Sequence, residues 1–126
     1  MDAQISQNYS AHCLAYMGDA VYELYVRQML LANGSRSVGV LNKQAREYVS
    51  AASQAKIYHS IEPHLSQEEQ AIMRRGRNIN TQSRAKNADL SDYRHATGLE
   101  VLFGYLYLTK NHERLAEVFE LCMTIK

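Results

Sequence analysis

Two carboxylates lie in stretches that offer them almost nothing polar. Asp19 sits within Leu14-Ala-Tyr-Met-Gly-Asp-Ala-Val-Tyr-Glu-Leu-Tyr-Val26, and Glu100 within Ala96-Thr-Gly-Leu-Glu-Val-Leu-Phe-Gly-Tyr-Leu-Tyr-Leu108. An isolated charge buried in such surroundings costs roughly several kcal/mol, so each acid needs a partner. A divalent cation is the simplest ligand that two hard oxygen donors could share. Each acid also has a glycine one residue or one helical turn away, Gly18 and Gly104. Glycine inside a helix costs about 1 kcal/mol relative to alanine, which points to close approach of another backbone. If the two segments are helices that cross at these glycines, Asp19 and Glu100 converge. Spacing alone also allows each acid to be neutralised by a tyrosine hydroxyl, an arginine or a histidine.

A second chemistry is suggested by charge. The protein carries +1 overall, yet Arg74–His95 holds six basic and two acidic residues, or +4, against −3 for the remainder. Arg74, Arg75, Arg77, Arg84, Lys86 and Arg94 are interleaved with Asn78, Asn80, Thr81, Gln82, Ser83 and Asn87. Such side chains bond phosphates and ribose hydroxyls, and the loop lacks the aromatics that stack unpaired bases. The pattern suits a nucleic-acid duplex, although a charge run can also be a solvated face. The histidines look scattered. His95 could touch a phosphate or pack beside its helix, and no pair has zinc-ligand spacing.

Helical periodicity runs through the elements that must position these groups. A helix is expected from Ser10 as N-cap to about Asn33, with Leu14, Gly18, Val21, Tyr22, Tyr25 and Met29 on its inner stripe. A weaker helix follows over about 38–50 and a third over about 52–60, the latter ending before Pro63. Ser66-Gln-Glu-Glu69 is a capping box opening a helix that carries the arginine run. Residues 78–89 read as a loop. About 90–109 is apolar nearly all round and therefore central. Asn111 caps a last amphipathic helix with Leu115, Val118, Phe119 and Cys122 inward. The expected fold is all-α, a single domain over 1–126.

Composition narrows the classes further. At 126 residues and 46% hydrophobic, there is material for one core and no separate recognition module. Cys13 and Cys122 both read as reduced core thiols, not a disulfide framework. The start of the chain has no signal-peptide pattern and no run approaches membrane-spanning length, so a cytoplasmic protein with no membrane partner is expected.

The stretches Leu14-Ala-Tyr-Met-Gly-Asp-Ala-Val and Leu99-Glu-Val-Leu-Phe-Gly resemble the ribonuclease III catalytic domain. With Gly18-Asp-Ala-Val-Tyr-Glu23, Arg74-Arg-Gly-Arg-Asn78 and Tyr93-Arg-His95, the similarity extends along the chain to the compact form, Mini-ribonuclease III. The resemblance implies a homodimeric ribonuclease III-like helical bundle that cleaves double-stranded RNA with Mg²⁺ and leaves 5′-phosphate and 3′-hydroxyl ends. Asp19 and Glu100 match the family's catalytic, metal-binding acids. Two further family acids fall on Ala15 and Thr97, which leaves the number of metal ions open. Tyr16 falls where larger relatives have an aromatic at the subunit contact, and is a dimer candidate. With no double-stranded-RNA-binding domain after residue 126, RNA affinity is expected from Arg74, Arg75, Arg77, Asn78, Arg84, Lys86, Arg94 and His95. The implied substrate is the precursor of bacterial 23S ribosomal RNA, with a large-subunit ribosomal protein as a candidate partner.

Two rivals remain at this point. One is a ribonuclease III-like module that grips RNA or a ribosomal protein without cutting, favoured by Ala15 and Thr97. The other is an all-helical nucleotide hydrolase using Mg²⁺ on carboxylates, which would not bind duplexes in a salt-sensitive way.

Overall fold

A computed structural model describes residues 8–79 and 89–124; the Arg84 and Lys86 positions fall outside the described residues. The described residues form six α-helices and no strand: α1 Ala11–Leu31, α2 Val38–Val49, α3 Ala51–Ile61, α4 Gln67–Arg77, α5 Leu90–Leu108 and α6 His112–Thr124. A short 3₁₀ turn, Glu62–His64, links α3 to α4 and holds Pro63 in its first turn, where a missing N–H is harmless.

The helix ends follow from local chemistry. Ser10, Ser37, Ser50 and Ser66 each cap a helix through the side-chain oxygen. The capping box at Ser66 and Glu69 is complete in both directions. Glu69 also takes two 2.8 Å hydrogen bonds from the Arg114 guanidinium on α6. Those bonds hold the Glu69 carboxyl below the usual carboxylate range and tie the helix bearing the arginine run to the end of the bundle. At the end of α5, Lys110 adopts φ 63°, and Asn111 N–H donates to the Leu106 carbonyl. This is a Schellman closure with lysine in the position glycine usually takes.

α5 is the central element, packing against α1, α3, α4 and α6. Ten of its residues are buried, as its nearly uniform apolarity requires. Tyr22 and Tyr105 are core residues, with Tyr22 donating to the Tyr48 carbonyl at 2.8 Å. Its ring meets Phe103 edge-on at 5.1 Å. In α6 the inward set is the expected one: Leu115, Val118, Phe119 and Cys122. Cys13 is not a core thiol. It is exposed, because α1 turns only one side to α5 and Cys13 lies on the other.

Backbone meets backbone where α1 crosses α5. A Cβ at Gly18 would overlap the Glu100 carbonyl oxygen, and one at Gly104 the Leu14 carbonyl oxygen. A second crossing joins α4 to α5, where a Cβ at Gly76 would stand 2.7 Å from Val101 Cγ2 and one at Gly98 2.7 Å from the Met73 carbonyl oxygen. Gly18→Ala is expected to destabilise by about 3 kcal/mol or more, because rigid backbone has to move. Gly39→Ala, on α2 with open space around it, is expected to stabilise by about 0.5–1 kcal/mol. Urea denaturation of the two variants beside wild type measures both.

Candidate functional site

Three spacings meet at one cleft. His12, Ala15, Tyr16 and Asp19 follow one face of α1, and Tyr93, Arg94, Thr97 and Glu100 follow one face of α5. With Gly76 and Ile79 from the end of α4, they line a cavity of about 210 Å³. The Gly18 crossing puts Asp19 and Glu100 on the same side of the α1–α5 seam. Their carboxyl groups come within hydrogen-bonding reach of each other.

The two acids are not equally placed. Asp19 is exposed, contrary to the expectation of a buried charge, because it sits at the rim of the crossing. Glu100 is half-buried. Its carboxyl is pushed up to about 8, first by burial, then by the Asp19 charge and by hydrogen bonding to Asp19. Among the described residues no arginine, histidine or tyrosine neutralises this pair in the manner of a structural ion pair. The described charge pairs are Glu23–Arg27, Glu69–Arg114 and Glu117–Arg114. Glu23, one turn after Asp19, is a partly exposed residue paired with Arg27 at 2.8 Å.

The donor set suits a hard cation that keeps much of its water. Among the described residues no cluster of three or more histidine, cysteine or acidic side chains could hold a metal. Two carboxylates in a polar, solvent-open cleft fit Mg²⁺, which takes one or two carboxylates and retains waters. Ala15 and Thr97, where the family resemblance leads one to expect two further acids, line the same cleft. Thr97 Oγ1 is occupied in donating to the Tyr93 carbonyl at 2.9 Å.

A neighbouring cleft collects part of the basic set. Arg77, Asn78, Leu90, Ser91, Arg94 and His95 line it, and Arg94 borders both clefts. Arg74 is exposed on α4, whereas the Arg75 guanidinium donates to the Tyr9 carbonyl at 3.0 Å. The histidines are less scattered than their numbering suggests. The His59 and His95 rings lie 4.5 Å apart, and Tyr58 meets His95 edge-on at 4.7 Å. His12 and Tyr93 were not singled out as site residues, although the 93, 97, 100 spacing on one helix face could have found Tyr93.

Comparison with known proteins agrees with this geometry. The ribonuclease III domain family matches residues 12–111. Mini-ribonuclease 3 of Brevibacillus brevis is 46% identical over 112 residues, covering 89% of this chain and 84% of that protein. Mini-ribonuclease 3 of Symbiobacterium thermophilum is 47% identical over 107 residues, covering 85% and 82%. An X-ray structure of a Fusobacterium nucleatum protein superposes with TM-score 0.82 at 33% identity, covering 97% of this chain and 95% of that one. The chain belongs to the ribonuclease III family. Within it, the chain is similar to the compact Mini-ribonuclease 3 proteins over most of their length. No helix among the described residues is long and apolar enough to cross a membrane.

The raised Glu100 carboxyl has a consequence for stability. From about pH 4.5, where an unfolded glutamate loses its proton, to about pH 8, the folded chain holds a proton that the unfolded chain has released. Metal-free stability should therefore fall as pH rises through that window, by of order 2 kcal/mol after allowance for solvent screening. Glu100→Gln should flatten the fall, and thermal melts in EDTA from pH 5 to 8.5 test it.

Proposed function

We propose that this ribonuclease III-family protein is a Mg²⁺-dependent endoribonuclease that hydrolyses phosphodiester bonds in double-stranded RNA. One observation carries the reading: Asp19 and Glu100, eighty-one positions apart, converge on one cleft beside a second cleft lined by Arg77, Asn78, Arg94 and His95. The 23S ribosomal RNA precursor is the substrate that the similarity to the compact subfamily implies, and a large-subunit ribosomal protein is the partner that could present it.

Asp19 and Glu100 would hold the metal, directly or through its waters. A bound Mg²⁺ supplies an activated water and offsets the charge that builds on the cleaved phosphate. Glu100 would have to release its proton for both carboxylates to serve as metal ligands. Arg94, reaching both clefts, anchors the strand beside the carboxylates, while Arg77 and Asn78 hold the phosphates that follow. No protein side chain has to act as the nucleophile.

A homodimer is part of the same proposal. Tyr16 (84% exposed), Leu24 (53%) and Leu31 (55%) project from the outer side of α1 beside Arg27, apolar surface that a lone subunit leaves in water. Pairing two copies across a two-fold axis would cover it and present two sites to one duplex, one per strand. Tyr16 borders the carboxylate cleft as well, so the subunit contact and the site are neighbours.

The non-catalytic alternative gains nothing from Ala15 and Thr97, since both acids that remain face the cleft. Wild type should cut duplex RNA with Mg²⁺ but not in EDTA. Asp19→Asn and Glu100→Gln should each lower the rate about a hundredfold or more while leaving the circular dichroism unchanged. Equal cutting by the variants would sink the assignment. Arg94→Ala should weaken duplex binding and flatten its salt dependence, read by fluorescence anisotropy at several salt concentrations. Tyr16→Glu should yield monomers by light scattering; a dimer that survives it moves the contact elsewhere.

A further inference from the structure

His95 is held more firmly than a surface phosphate contact requires. Its Nδ1 lies 2.7 Å from the Ser91 carbonyl oxygen, one helical turn back on α5. A carbonyl only accepts, so Nδ1 carries the hydrogen. The Ser91 hydroxyl is 3.4 Å from the same nitrogen. Tyr58 packs edge-on against the ring and His59 lies tilted beside it, so the ring plane is set from α3 as well as from α5. In a neutral imidazole with hydrogen on Nδ1, Nε2 is a hydrogen-bond acceptor. No hydrogen bond to Nε2 is found among the described residues.

The cleft that His95 lines is otherwise well supplied with donors. Arg77 and Arg94 have no acceptor to offer, and Asn78 Oδ1 already takes a 3.1 Å hydrogen bond from Arg77 Nε. Phosphate oxygens satisfy the arginines, but a phosphate oxygen has no hydrogen for Nε2. The donor that every residue of an RNA strand carries beside its phosphate, and a DNA strand lacks, is the ribose 2′-hydroxyl. His95 and Glu100 are about 7.5 Å apart along the helix axis, close enough for one strand to touch both clefts.

We propose that His95 accepts a hydrogen bond from a ribose 2′-hydroxyl through Nε2, making it a residue by which the protein selects RNA over DNA. Ser91 fixes which nitrogen is offered, and Tyr58 and His59 are positioning residues for the ring. The proposal rests on the duplex-RNA reading above.

The test compares an RNA duplex with the same duplex carrying 2′-fluoro in place of every 2′-hydroxyl, which keeps the sugar pucker and removes the donor. Binding is measured by anisotropy at pH 8 in EDTA on the Asp19→Asn background, so that neither duplex is cut. The hydroxyl-bearing duplex should bind more tightly. His95→Phe, which keeps a ring against Tyr58 and His59, should shrink that preference roughly three- to tenfold, the worth of about one hydrogen bond. An unchanged preference overturns the proposal. So does equal weakening of both duplexes, which would make His95 a phosphate contact. If the His95-bearing protein binds neither duplex, the RNA reading falls and this proposal falls with it. His95→Ala, with circular dichroism, guards against a packing effect peculiar to phenylalanine.

Discussion

The site depends on one close contact, the crossing of α1 over α5 at Gly18 and Gly104. Each glycine lies against a carbonyl of the opposite helix, so the axes approach nearer than any side chain would allow. That approach brings a rim residue of α1, Asp19, to a half-buried residue of α5, Glu100. A helix pair held at the usual 8–10 Å by side chains would set the two carboxylates farther apart. The Gly76–Gly98 crossing does the same for α4, bringing Arg77 and Asn78 beside Arg94.

Close approach leaves an electrostatic debt at the site. Glu100 meets a second carboxylate at the edge of the core, and its proton is retained up to about pH 8. The surrounding packing, with α5 buried against four other helices, supports that local cost. On the proposed function, the pair would exchange its proton for a cation, and the adjoining cleft, lined by Arg77, Asn78, Arg94 and His95, would meet an anionic strand. Opposite local charges thus sit side by side, sharing Arg94. The Glu69–Arg114 pair at the far end of α4 does not join this chemistry; it braces the helix that carries the arginine run.

Much of this could be read from residue order. The serine caps, the complete capping box at Ser66, the uniform apolarity of α5 and the inward set of α6 are local properties. Periodicity and short-range hydrogen bonding report such properties directly. Gly18 and Gly104 signalled close approach because glycine is costly inside a helix unless something needs the space. The all-α fold and the family were therefore legible, and the two acids stood out as candidates.

Other features were decided only by the packed chain. Asp19 reads as a buried charge from its neighbours in sequence, yet α1 shows it to solvent, since burial depends on which side of a helix another element covers. Cys13 is exposed for the same reason. His59 and His95 look unrelated thirty-six positions apart, until α3 packs on α5 and lays their rings together. Residue order determined the helices and which chemistries were available. Long-range packing determined which groups share a cleft, because a distance between side chains on different helices is set by the interhelical contact and not by spacing along either one.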